Sequence, residues 1–304
     1  MIENSTLKSM NNTRALHLDS AFHAMDDGHG VNGYHDSHYS DYVIHGQAEH
    51  GQAIQVGFEL ECEQVRPNDE CMTRDEVAGS LRGAFGDKLA GIEEDGSLDR
   101  RHGMEVVSSP MTLNYAMNKF GLADLCGLLD EAGFDSHDRP KCGLHVHVGR
   151  EQLGQRDDTR DLAICKIMYI VDRFMSADGV SGALDKFSRR NGAYGYCKKP
   201  CAGITDTDKR PQFLSKTKAK AECGDRYLAL NLRNRNTIEF RLFKGTTNAR
   251  TLAATLQLVD CICRYAMTHT LPEVQSCKFG DIVRMSKYAE IYSYCARRGI
   301  SLDD

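Results

Sequence analysis

The chain has 304 residues, 41% of them hydrophobic, and a net charge of −5. That is enough for one large domain or two ordinary ones with an ample core, and the mixed, slightly acidic charge argues against a generic binder of nucleic acid or anionic membrane. No apolar run approaches the ~18 residues that a membrane span requires, and the polar start Met1-Ile2-Glu3-Asn4-Ser5 has no apolar segment of the kind a signal peptide carries.

Residues 1–52 hold seven of the twelve histidines, His17, His23, His29, His35, His38, His45 and His50, in a setting of Asp, Gly, Ser and Asn. Weak apolar periodicity predicts a loosely ordered extension that packs on the rest in places, through Tyr34, Tyr39, Tyr42, Val43 and Ile44. From Gln55 to Val65 apolar residues alternate, as in a strand. Thr73-Arg74-Asp75-Glu76 reads as a capping box that opens a helix to about Ala90. Glu93 to Leu98 is a turn signal, Met104 to Ser109 a short strand stopped by Pro110, and Leu113 to Ala132 a helix ended by Gly133. Gly143 to Gly149 is a strand, and Arg160 to Ala177 an apolar helix whose Asp-rich start suits the helix dipole.

The stretch 178–226, rich in Gly, Lys and Arg, reads as a mobile lid or insertion. Strands follow at Tyr227–Leu232 and Thr237–Phe243, then a helix from about Asn248 to His269 and a last one from Phe279 to Arg298. The whole of 53–304 is expected to form one α+β domain with a largely antiparallel sheet and helices behind it. The twelve cysteines are scattered, with no Cys-x-x-Cys pair. They are expected to be reduced thiols used as small core side chains, in a cytoplasmic protein.

Four strand-like pieces carry the chemistry. In Gly57-Phe58-Glu59-Leu60-Glu61, Met104-Glu105-Val106-Val107, Leu144-His145-Val146-His147-Val148 and Thr237-Ile238-Glu239-Phe240-Arg241, apolar residues alternate with carboxylate, imidazole or guanidinium. A strand sends successive side chains to opposite faces, so each piece has one apolar face and one ligand-bearing face. Each pair alone has a plain reading: a solvated face for Glu59, Glu61 and Glu63, mutual hydrogen bonding for His145 and His147, a salt bridge for Glu239 and Arg241. Together they predict a shared metal site, with Gly57, Gly143 and Gly245 leaving backbone room beside it. Several carboxylates with imidazole suit Mg2+ or Mn2+ better than Zn2+, and the ligand count fits two ions. Arg233, Arg235 and Arg241 are natural partners for phosphate or carboxylate oxygens, as phosphoryl transfer would need.

These pieces resemble the amidoligase family of glutamine synthetase-like carboxylate–amine ligases. The resemblance is carried by Gly57–Glu61, Glu94-Asp95-Gly96-Ser97-Leu98, Glu105-Val106-Val107-Ser108-Ser109-Pro110, Gly143–Gly149 and Thr237–Phe243, in the family's order over about residues 54–265. It implies a curved antiparallel sheet with helices on its convex face, and a concave face that holds ATP and Mg2+. The implied reaction forms an amide or peptide-like bond through an acyl phosphate. By the same resemblance Glu59, Glu61, Glu105, His145 and Glu239 are metal ligands, with His147 beside them at phosphate or substrate. Arg241 is the arginine at the transferred phosphate, and Arg189 or Arg190 reaches phosphate or substrate carboxylate in Ser188-Arg189-Arg190-Asn191, ahead of Tyr194 and Tyr196-Cys197. On this scheme Glu239, helped by Glu59 and His145, holds the cation on ATP. Glu61 and Glu105 hold the cation that receives the substrate carboxylate. Asp95 or Glu63 takes the proton of the attacking amine, and the 178–226 stretch closes over the site. The substrates expected are a small-molecule or peptide carboxylate and an amine.

Other readings of the same residues are a metal-dependent hydrolase or nuclease, a guanidino-phosphate kinase, and a non-catalytic binding protein. A mononuclear iron oxygenase would use His145, His147 and Glu239 alone, leaving the further carboxylates and arginines without a role.

Overall fold

The computed structural model describes residues 30–32, 43–46, 53–65, 72–175, 182–190 and 228–303. Alternating burial along Gln55–Gln64 makes this strand, β1, the centre of the sheet: Val56, Phe58, Leu60 and Cys62 are buried on one side, and Glu59, Glu61 and Glu63 point to the other. The remaining strands are β2 (Leu89–Glu93), β3 (Gly103–Ser108), β4 (Met111–Thr112), β5 (Phe134–Asp135), β6 (Gly143–Gly149), β7 (Leu230–Asn231) and β8 (Thr237–Lys244). The sheet runs β2-β3-β1-β6-β8-β7, with β4 and β5 paired to the ends of β1. Every one of these pairings is antiparallel, as the sequence predicts.

The helices are α1 (Arg74–Phe85), α2 (Leu122–Glu131), α3 (Asp157–Phe174), α4 (Ala183–Ser188), α5 (Ala249–Thr268), α6 (Leu271–Ser276), α7 (Phe279–Val283) and α8 (Ala289–Arg297). One apolar cluster joins Phe58, Leu60, Val146 and Phe240 of the sheet to Leu81 of α1, Leu125 of α2, Ile167 of α3, Leu256 of α5 and Ile291 of α8. The fold is therefore α+β, an open antiparallel sheet with its apolar face under helices. The long α5 is almost wholly buried and starts at Asn248, whose side chain accepts from Thr251 N.

The helix expected from Arg160 starts three residues earlier, at Asp157, and the strand expected over Tyr227–Leu232 is confined to Leu230–Asn231 among the described residues; three larger differences have physical causes. The first helix stops at Phe85, because Gly86 takes a positive φ of 52° and a short 3-10 turn leads into β2, which the sequence reading folded into helix and turn. The helix expected over 113–132 is broken: a helical turn, Leu113–Tyr115, and a π-turn, Ala116–Phe120, end at Gly121, whose φ is 94°. The last helix is split into α7 and α8 because Gln257 of α5 reaches both the Ile291 N–H and the Glu290 carboxylate, which fixes a new helix start at Ala289.

Most of the histidine-rich residues 1–52 and most of the stretch 178–226 lie outside the described residues. Of the packing residues expected in the extension, Tyr34, Tyr39 and Tyr42 are among those outside, and Val43 and Ile44 are exposed. Contacts with the rest come from Gly30, whose carbonyl accepts from Arg82, from Val31, whose N–H donates to Asp75, from Asn32, bridged to Glu93, and from His45, bridged to Met111 and stacked on Tyr115. The eight described cysteines are free and seven are buried, as small apolar side chains would be. Among the described residues no helix is long and apolar enough to cross a membrane.

Candidate active site and metal centre

Strand register builds the site. Glu61 lies opposite Glu105 of β3, and Glu105 lies opposite Glu93 of β2. On the other side of β1, Glu59 lies opposite His145 of β6, and His147 lies opposite Glu239 of β8, which in turn faces Asn231 of β7. The polar parity read from four separate stretches thus falls on one face of one sheet. A β-bulge falls between Val146 and Leu144 where β6 meets β8, so Arg241 and Leu242 both sit opposite His145. The extra residue locally re-aims this stretch of β8.

Two sets of three side chains bring ligand atoms within 4.8 Å of one another: Glu59, Glu105 and His145, and Glu59, His147 and Glu239. Glu59 belongs to both. His145 Nδ1 is 3.2 Å from Glu59 Oε2 and 3.7 Å from Glu239 Oε1, and His145 Nε2 is 3.8 Å from Glu61 Oε1. The Gly143 N–H donates to Glu61 Oε2. A Cβ on Gly143 would come within 2.6 Å of Arg190 Nη2 and 3.0 Å of His145 Nε2, and one on Gly245 would strike Ser136 Oγ, which itself donates to the Glu61 carbonyl. Gly57, by contrast, has ordinary room.

Glu239 is held from three directions. Arg241 donates to its Oε1, and the Asn231 and Asn234 amides donate to Oε2 at 2.8 and 3.2 Å. Thr237 Oγ1 lies 3.2 Å from His147 Nδ1, which leaves His147 Nε2 turned toward Glu59 Oε1, 3.0 Å away. That nitrogen is buried and has no hydrogen bond of acceptable geometry. Close to carboxylate oxygens of Glu59 and without a well-aligned hydrogen bond, it is either the cationic partner of Glu59 or, deprotonated, free to ligate a cation. The donor set, carboxylates with two imidazoles, fits a hard divalent cation.

Electrostatics divides the cluster into two kinds of carboxylate. Burial and the neighbouring Glu59, Glu61, Asp95 and Glu93 hold the Glu105 carboxyl well above the usual carboxylate range, and burial also raises Glu61. Burial would raise Glu59 and Glu239 as well, but His147 and His145 outweigh it for both, with Arg241 adding to the effect on Glu239, and both carboxyls end lower than usual. For His147 burial opposes the charge, yet Glu59 and Glu239 lift it to about 9. Two ionised carboxylates with oxygens within 4.8 Å would repel by roughly 3 kcal/mol or more at an effective dielectric of about 20. Bound cations would relieve that repulsion.

The other candidates divide. Asp95 is half-buried, accepts from Ser97, and acts on Glu61 and Glu105. Glu63 instead accepts from the Asp99 N–H at 3.0 Å. Arg190 reaches the Gly143–Glu61 end, whereas Arg189 is spent on the Lys244 and Gly245 carbonyls and on His137. Arg233 and Arg235 are exposed on the turn between β7 and β8. Asn191, Tyr194, Tyr196 and Cys197 lie outside the described residues. Sequence reasoning missed Glu93, Asn231 and Asn234. Glu93 is 1% exposed and opposite Glu105, and its burial was hidden by the turn-like run that follows it.

No curated protein matches the chain. Among solved structures it is similar to the complex between the prokaryotic ubiquitin-like protein Pup and its ligase PafA, at 9% identity and a TM-score of 0.31. That match covers 78% of this chain and 51% of the other, so the chain spans about half the length of that relative. The family model described as "Putative amidoligase enzyme" matches residues 75–263, more than half of the chain and most of the ligand-bearing strands, and the chain belongs to that family.

Proposed function

We propose that the protein is an ATP- and Mg2+-dependent carboxylate–amine ligase that forms an amide or peptide-like bond through an acyl phosphate. The observation that carries this reading is the convergence of Glu59, Glu105, His145, His147 and Glu239 within 4.8 Å sets, flanked by Arg190 and Arg241, in a chain of the amidoligase family. Mg2+ or Mn2+ bound there would supply positive charge to phosphate oxygens and to the substrate carboxylate. Glu59 with Glu105 and His145 would hold one such ion, and Glu59 with His147 and Glu239 the other. Glu61, tied to Gly143 and 3.8 Å from His145, stands beside the first.

The chain's own groups would then position and neutralise. Arg241, anchored on Glu239, and Arg190, beside Glu61, are placed to spread charge over a transferred phosphoryl group or to grip a carboxylate. Arg233 and Arg235 stand farther out, at the rim, where the distal phosphates or a bulkier substrate would pass. Asp95 is the better-placed proton acceptor for the incoming amine, because its charge acts on both Glu61 and Glu105, whereas Glu63 is engaged with the Asp99 N–H. Holding the two substrates in line is the main contribution of such a site, with little covalent chemistry for the protein. The substrates would be a small-molecule or peptide carboxylate and an amine.

The test is phosphate release from ATP with Mg2+ and pools of amino acids, peptides and polyamines. ADP and phosphate that appear only when a carboxylate and an amine are both present support ligation. Metal-dependent hydrolysis without nucleotide would overturn it in favour of a hydrolase.

A further inference from the structure

Arg150 belongs to none of the ligand sets, yet it is buried, 9% exposed, directly after β6. Its Nε donates to the carbonyls of Asn234 and Thr237 at 3.0 and 2.9 Å, and its Nη2 to that of Leu232 at 2.6 Å. Its backbone N–H donates to Asn236 O at 2.9 Å. One residue therefore grips four carbonyls of the turn that joins β7 to β8. The side chains of that turn and its edges are the ones that orient site donors. Asn231 and Asn234 hold Glu239 Oε2, and Thr237 stands at His147 Nδ1.

We propose that Arg150 is the positioning residue for the His147–Glu239 half of the site, setting the backbone from which Asn234 and Thr237 aim these two ligands at Glu59. A planar fork presents its donors in a fixed, pre-organised geometry to carbonyls spread over a turn, whereas a lysine ammonium on a flexible stem holds them less rigidly. Burying a guanidinium is costly unless its donors are met, and here Nε and Nη2 are met by the segment that carries the orienting side chains. The strand pair Gly149–Thr237 puts the clamp one residue from the ladder that contains His147 and Glu239. Partners that orient a ligand without touching the metal commonly matter by about 10–100-fold in affinity. The inference rests on the metal-binding reading of the site.

The experiment is Mn2+ titration of the full chain, followed by electron paramagnetic resonance, with melting temperature measured alongside. Arg150→Lys is expected to weaken one class of bound Mn2+ by about 10–100-fold and to leave the other class unchanged. Asn234→Ala with Thr237→Val should weaken the same class, and adding Arg150→Lys to that pair should change little more. Wild-type affinity for both classes in folded Arg150→Lys, or an equal loss from both classes that tracks the melting temperature, would overturn the role of Arg150. If Arg150→Lys does not fold, the Asn234→Ala/Thr237→Val protein decides, and unchanged Mn2+ binding there overturns the proposal. If the unaltered chain binds no Mn2+, the metal-binding reading falls and this inference falls with it.

Discussion

On the β3–β1 side of the site, Glu61, Glu105 and Glu93 stand together with Asp95, and Glu105 is held well above the usual carboxylate range by burial, by Glu59 across the site, and by these neighbours. On the β6–β8 side, Glu59 and Glu239 face His145, His147 and Arg241, and both carboxyls lie below that range. One half is built mainly of acids, with Arg190 and the Gly143 N–H at its Glu61 end, and the other carries imidazole and guanidinium among its carboxylates. The same sheet and the same kind of alternation produce both. The difference lies in which strands supply the partners: β2 and β3 bring only acids, while β6 and β8 bring imidazole and guanidinium. On the proposed reading a cation would relieve the acidic half, and the basic half would meet phosphate oxygens as well.

The largest effects should come from removing one ligand in each half. Glu61→Ala and Glu239→Ala should each lower turnover by roughly 10²–10³-fold or more, read as ADP release, with circular dichroism showing an intact fold. Near-full turnover in either variant would remove that half from the site.

Glu105→Gln should separate the halves by sign. It deletes a repelling charge, so the metal-free protein should melt higher, while Mn2+ affinity falls by about 10–100-fold. A lower melting temperature without metal would mean that Glu105 is compensated by its surroundings after all.

The pH dependence of the metal-free protein sharpens the contrast further. Glu105 and Glu61 are raised in the fold, so their contribution is greatest at acid pH and is lost as pH climbs from about 4.3 through their raised values. Glu59 and Glu239 are lowered, so theirs is present above about 4.3 and is lost as pH falls through their native values. His147, lifted to about 9, contributes fully below about 6.5 and loses that contribution as pH rises through its native value. Thermal melts of the metal-free protein should therefore decline across that upper window, and His147→Gln should flatten the decline.

The smallest effect expected is at Ser136→Ala, which removes a hydrogen bond to the Glu61 carbonyl. It should cost about 1 kcal/mol of stability in chemical denaturation and leave Mn2+ binding at the β6–β8 side unchanged.

The parity of the four pieces was legible because a strand's period of two is written directly in its residues, and Glu59-x-Glu61, His145-x-His147 and Glu239-x-Arg241 all keep it. Pairing across strands was not, since nothing local says that Glu61 meets Glu105 or that Glu59 meets His145. Glu93 was hidden because β2 is short and runs into Asp95-Gly96, where turn chemistry dominates. Asn231 and Asn234 read as ordinary strand-end and turn residues, and only the fold aims their amides at Glu239. The breaks at Gly86 and Gly121 were carried by single glycines with positive φ, a choice that a helical period elsewhere in the segment masks. The split of the last helix came from Gln257 on a different helix, a contact with no trace in the residues on either side of the break.

The central claim is that side chains from β1, β3, β6 and β8 jointly hold divalent cations. An anomalous difference map from Mn2+-soaked crystals tests it most directly. The account predicts two peaks on the sheet's polar face, one ligated by Glu59, Glu105 and His145 and one by Glu59, His147 and Glu239. Strong peaks elsewhere on the molecule with none at these residues would contradict it.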